Sequence, residues 1–132
     1  MTKKEFVNGP GLLMEKEVVS LGFARPTIEK FVELGVLKKV KPVGCSQARY
    51  QKRQLALLLE WTDVAAGVEQ AFAAEPQMMG RKEVLQWTGM SKETLDKMAE
   101  KGGLRAVRLP GCNQGKYRKA DIAAMLGLER WV

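Results

Sequence analysis

Histidine is absent from the 132 residues, and cysteine occurs only twice. Without histidine the chain lacks the commonest general base, the commonest metal ligand and the base of the usual nucleophilic triad. Two cysteines cannot by themselves complete a four-ligand zinc site. A secreted scaffold stapled by disulfides carries more of them. No apolar run approaches the roughly 20 residues that a membrane span needs. Met1-Thr2-Lys3-Lys4-Glu5 leads into no signal-peptide-like apolar stretch, so the cytoplasm is the expected location. No nucleophile–base pair, phosphate-cradling glycine loop or metal set is legible, so neither an enzyme nor a cofactor nor a bound metal is expected. What is present is 45% hydrophobic and 28% charged, the balance of a globular protein. The length suits one ordinary domain or two very small ones. A net charge of +7 favours polyanionic partners, nucleic acid above all.

The chain repeats itself. Gly22 and Gly89, Thr27 and Thr94, Gly35 and Gly102, Leu37 and Leu104, and Val40 and Val107 all lie 67 residues apart. So do Gly44 and Gly111, Cys45 and Cys112, Gln47 and Gln114, Tyr50 and Tyr117, and Lys52 and Lys119. Upstream, Lys16-Glu17-Val18 matches Lys82-Glu83-Val84 at 66, so the second copy gains one residue near Trp87-Thr88. Charge follows the repeat: residues 1–60 carry +5, residues 79–132 carry +5, and residues 61–78 between them carry −3.

The second copy reads most clearly. Arg81 to Trp87 predicts a short helix, and Gly89 suits a left-handed cap behind it. Ser91 is a good N-cap for a helix over Lys92 to Lys101, with Leu95, Met98 and Ala99 facing inward. Two short helices across a tight glycine turn are the sequence form of a helix-turn-helix. Leu104 to Pro110 and Lys116 to Arg118, around a turn-rich Gly111 to Gly115, predict a hairpin wing. Lys119 to Leu126 closes the unit as a helix. The first copy follows the same plan: helices over Glu15 to Leu21 and Pro26 to Leu34, a wing from Leu37 to Val43 and Arg49 to Gln51, and a closing helix from Lys52 to Glu60. Trp61 to Ala74 is rich in alanine, lacks proline and predicts a helical connector stopped by Pro76. The expected organisation is a flexible tail (1–10), a first unit (11–60), a connector (61–77) and a second unit (78–132). The fold class is mainly α with small β-hairpin wings, in two tandem winged helix-turn-helix units.

Three stretches carry a family resemblance: Ser91 to Lys97, Lys101 to Leu109 and Lys116 to Ile122. They are similar to the excisionase-like and MerR-like winged helix-turn-helix family. The first copy resembles it through Leu12-Leu13, Lys16-Glu17-Val18, Thr27-Ile28, Gly35-Val36-Leu37 and Arg49-Tyr50. The resemblance implies a minimal DNA-binding unit of phage excisionases, of plasmid and phage regulators, and of some small terminase subunits. This sequence departs from it at Ala24, where Ser91 caps the second copy, and at Gln54, where the second copy has Asp121. No long coiled coil or effector domain of a full MerR regulator follows, so no small-molecule effector is expected.

In a helix-turn-helix the outward residues early in the second helix enter the major groove. These are Arg25, Thr27 and Lys30 in copy one, and Lys92, Thr94 and Lys97 in copy two. Arg25 is the preferred base reader, because a guanidinium pairs bidentately with guanine. The wings supply Lys38, Lys39, Lys41 and Arg49, then Arg105, Arg108, Lys116 and Arg118, for phosphate or the minor groove. Gln47 and Gln114 recur at the wing tips as contacts for backbone or sugar. Tyr50 and Tyr117 are expected to pack each wing on its helices, the three tryptophans to lie in a core or interface, and Cys45 and Cys112 to be small turn residues. The expected partner is double-stranded DNA, with a homo-oligomer or a recombination or packaging protein as a further partner. The alternative is a protein-assembly adaptor such as a small-terminase-like phage packaging subunit.

Overall fold

The computed structural model describes residues 1–42, 47–108, 110–111 and 115–132. Among them the chain is mainly helical, with two small antiparallel three-stranded sheets. The first repeat runs α1 (Lys3–Asn8), β1 (Leu12–Met14), α2 (Glu15–Ser20), α3 (Arg25–Glu33), β2 (Lys39–Val40), β3 (Arg49–Gln51) and α4 (Lys52–Leu58). The second runs α5 (Thr62–Ala73), β4 (Met78–Met79), α6 (Arg81–Thr88), α7 (Lys92–Glu100), β5 (Ala106–Val107), β6 (Lys116–Arg118) and α8 (Lys119–Leu126). A 3-10 turn, Glu129–Trp131, ends it. Strand order is β1-β3-β2 in one sheet and β4-β6-β5 in the other. No helix among the described residues is long and apolar enough to cross a membrane.

Local chemistry sets most of these boundaries. Ser91 Oγ accepts from the Thr94 amide at 3.2 Å, so α7 begins on a capped turn. At the equivalent Ala24 no side chain caps α3, and Pro26 in the first turn fixes φ instead. Gly89 ends α6 in the left-handed region at φ 70. The helix foreseen between the repeats is α5.

Two expectations are corrected. Residues 1–10 hold a helix where a flexible tail was expected: Thr2 and Glu5 form a capping box, and Phe6 is buried. Each wing was expected to be a two-stranded hairpin. A third strand instead joins it from ahead of the helix pair, Leu13 opposite Tyr50 and Met79 opposite Tyr117. The repeat therefore extends further upstream than the residue matches suggested. Phe6 and Phe72 stand 66 apart, each buried in a helix that precedes a strand. α5 is thus the first helix of the second repeat as well as the connector.

Two hydrophobic clusters result. One gathers Phe6, Val18, Ile28, Leu37, Tyr50 and Leu55. The other gathers Phe72, Met79, Val84, Leu95, Tyr117 and Ile122. They are not independent. α5 places Val64 and Ala65 in the first cluster and Val68 and Phe72 in the second. Leu12 of β1 belongs to the second cluster, although its neighbour Leu13 belongs to the first. Polar contacts add to this seam. The Gly11 amide donates to the Trp87 carbonyl, and Gln51 Nε2 donates to the Met125 carbonyl at 3.0 Å. Arg53 Nε meets Glu69 Oε1 at 2.7 Å while its guanidinium lies 4.8 Å from the Trp131 ring. Gly11 has no room for a side chain, since a Cβ there would stand 2.8 Å from the Trp87 carbonyl oxygen.

Each repeat buries one lysine at the start of its last helix. Lys52 Nζ donates to the carbonyls of Val7 and Gly9 at 2.7 and 3.0 Å, closing the end of α1. Lys119 Nζ does the same for Ala73 and Glu75 behind α5, at 3.0 and 2.9 Å. Both ammonium groups also lie over a phenylalanine ring, Phe6 at 5.6 Å and Phe72 at 5.3 Å. A cation at a helix C-terminus offsets the dipole and satisfies orphan carbonyls.

Burial pulls the Lys52 ammonium down from 10.5 to about 8. Between those values the unfolded chain keeps the proton and the folded chain releases it. Stability therefore rises as pH rises through that window, by about 1–3 kcal/mol. Tyr50 and Tyr117, pushed above 10.0 chiefly by burial, oppose this only at higher pH. Urea unfolding between pH 8 and 10 should show the rise in the wild type and a flat profile in Lys52→Met. Parallel profiles would contradict it.

Candidate nucleic-acid interface

In each repeat, a helix runs along the outside with its apolar stripe on the core. α3 buries Ile28 and leaves Arg25, Thr27, Glu29, Lys30 and Glu33 exposed. α7 buries Leu95 and Met98 and leaves Lys92, Glu93, Asp96, Lys97 and Glu100 exposed. Thr94 is half-buried, and its hydroxyl shares a hydrogen bond of 2.9 Å with Ser91 Oγ. That hydroxyl is already engaged in the cap.

The first repeat concentrates charge where α2 and α3 begin beside the segment around β2 and β3. A cleft of about 540 Å³ is lined there by Lys16, Arg25, Lys39, Lys41 and Gln47, with Glu15 at its side. Arg25, Lys41 and Gln47 were expected at an interface. Lys39 was expected there too, among the lysines that meet phosphate, whereas Lys16 was seen only as part of the repeat. The signal for Lys16 was its place in the first turn of α2, which only the fold brings beside α3. Arg25 Nε lies 3.5 Å from Glu15 Oε1, with 75% of the Arg25 side chain exposed. An ion pair so open to water is worth ~0–1 kcal/mol and yields readily to a competing anion.

A second cleft, about 480 Å³, lies between the repeats and is lined by Lys38, Lys41 and Arg105 with Asp121. Residues beside β2 and beside β5 line it together. Arg108 and Arg118 are exposed, and Lys116 is half-buried. In the second repeat the ion pair beside the outer helix is reversed. Arg81 stands where the first repeat has Glu15, and it holds Asp96 at 3.1 Å.

Arg49 does not belong to this surface. It was expected to reach phosphate, yet it is 9% exposed, and its Nη1 is buried without a hydrogen-bond partner. The reason is its place in β3. It stands on the central strand of its sheet, and its cross-strand neighbour Val40 packs on the second repeat's core. Its equivalent Lys116 is half-buried. Gln114, Cys45 and Cys112 lie outside the described residues. Tyr50 and Tyr117 are buried beneath their helices as expected. Trp61 and Trp87 pack edge-on against Phe6 and Phe72 at 5.3 and 5.2 Å. Among the described residues no group of three or more acidic, cysteine or histidine side chains is placed to hold a metal.

Comparison with family models, with curated proteins and with solved structures finds no match to this chain.

Proposed function

We propose that the chain binds double-stranded DNA through two tandem winged helix-turn-helix units. In this reading α3 and α7 are the groove-facing helices, and the β2–β3 and β5–β6 hairpins are the wings. The observation that carries it is the cleft where Lys16, Arg25, Lys39 and Lys41 converge beside the start of α3. Such a cluster suits a phosphate strand passing between helix and wing, and the exposed edge of α3 suits the adjacent major groove. The seam between repeats holds both helices in one frame, so the two units act as one reader. A role in excision or in transcriptional regulation follows from the resemblance of the helix-wing pattern.

Fluorescence anisotropy on random-sequence duplex tests the proposal. Six to ten phosphate contacts predict a loss of about 10³–10⁵ in affinity between 50 and 200 mM salt. Absent binding at 50 mM, or binding indifferent to salt, would reject it. The alternative of a protein-assembly adaptor draws on the exposed Leu34, Val36 and Leu57. Weak duplex binding without that salt response would favour it.

A further inference from the structure

A third cleft, of about 830 Å³, shares no lining residue with the two basic clefts. It is built from α1 of the first repeat together with α5 and α6, so it lies along the seam. Its volume falls within the roughly 300–1,000 Å³ of small-molecule sites.

Most of its lining is apolar. Val64 and Val68 of α5, Trp87 of α6 and Val7 of α1 all contribute. Val7 is 46% exposed, an apolar side chain that belongs to neither core. Gly67 also lines the cleft, in the middle of α5, where glycine weakens a helix relative to alanine. A Cβ there would meet nothing within 4 Å, so packing does not require the glycine. What the missing side chain leaves is open cleft.

The charged part of the lining is mainly cationic: Lys3, Lys4 and Lys52 against the single acid Asp63. Lys3 meets Asp63 at 3.6 Å, and both side chains are open to water. Lys52 is only 5% exposed, held by the carbonyls of Val7 and Gly9. Those bonds use two of the three ammonium protons. Among the described residues no acidic side chain forms an ion pair with it. The protein thus buries a cation at the edge of an apolar cleft and supplies no counter-ion. Its equivalent Lys119 lines none of the three clefts.

We propose that this cleft binds a small organic acid, its apolar body against Val64, Val68 and Trp87 and its carboxylate paired with Lys52. The carboxylate is the missing counter-ion and accepts the third ammonium proton in a charge-assisted hydrogen bond. Because both repeats build the cleft, an occupant bridges the seam. No small-molecule effector was expected, since no effector domain is appended; this site arises from the packing of the repeats instead. It requires no nucleic acid and stands apart from the DNA-binding proposal.

Isothermal titration calorimetry on the full chain tests it, with sodium decanoate and sodium 1-naphthoate as probes, both kept below micelle-forming concentrations. The two distinguish a chain from a ring as the apolar body, and at least one is expected to bind once per chain. Binding should perturb tryptophan fluorescence through Trp87 and raise Tm. The matching cations, decylammonium and 1-naphthylmethylammonium, should bind about 10–100-fold more weakly, the worth of a hydrogen bond to a charged group. Gly67→Leu should fill the cleft, keep the circular dichroism spectrum and abolish binding. Gly67→Ala should raise Tm and bind as the wild type does. Lys52→Met should weaken the acid at least ~10-fold. Failure of both acids to bind, equal binding of acid and amine, or a folded Gly67→Leu variant that binds like the wild type would each overturn the proposal.

Discussion

Phe72→Ala is expected to unfold the chain more severely than any other single truncation considered, and to take both repeats with it. Phe72 is 0% exposed. Its ring meets Trp87 edge-on at 88° and lies 5.3 Å beneath the Lys119 ammonium. Removing such a ring costs about 3–5 kcal/mol, from lost burial and from the cavity left behind. A domain with a total stability of about 5–15 kcal/mol loses a large share of it. The loss spreads because α5 is common property: loosening its second half releases Val64 and Ala65 from the first core. Thermal unfolding followed by circular dichroism and by tryptophan fluorescence should therefore show one coincident, lowered transition. A half-sized first transition, with the remaining helical signal melting at the wild-type temperature, would contradict the shared-helix account.

Duplex affinity is expected to collapse when Lys16, Arg25, Lys39 and Lys41 are all replaced by alanine. All four line one cleft, and none is buried in a core. Each phosphate contact removed flattens the salt dependence by about one power of concentration, so the slope should fall by about 4. At 50 mM salt the affinity should drop about 100-fold or more. Arg49 supplies the contrast. Because Arg49 is buried, Arg49→Met should alter unfolding and leave the salt slope of the folded protein unchanged. The proposed interface fails if the quadruple variant keeps the wild-type slope, or if Arg49→Met flattens it as a surface contact would.

Much of the fold was legible because it is written in local chemistry. Ser91 caps α7 through its own hydroxyl, Gly89 supplies a left-handed turn, and the helical spacing of Leu95 and Met98 turns them inward. Of the missed elements, α1 did carry one local signal, the Thr2–Glu5 capping box, and the strands carried none. α1 is 6 residues long, too short to persist in water on propensity alone. β1 and β4 are 3 and 2 residues long, and become strands only by pairing with β3 and β6. A short segment of this kind carries no periodicity to read.

The candidate interface divides along the same line. Arg25, Thr27, Lys30, Lys92 and Lys97 could be placed on outward helix faces from spacing alone. Arg49 could not be distinguished from Lys116, nor Gln51 from Arg118, because each pair holds one position in the repeat. The sequence by itself determined the repeat, the caps, the inward stripes and the excess of positive charge, all of which depend on neighbours within a few residues. Tertiary structure alone decided which copy of each equivalent residue meets water. Two units that are alike inside pack through unlike surfaces, so burial at the seam depends on position in the chain and not on the repeated pattern.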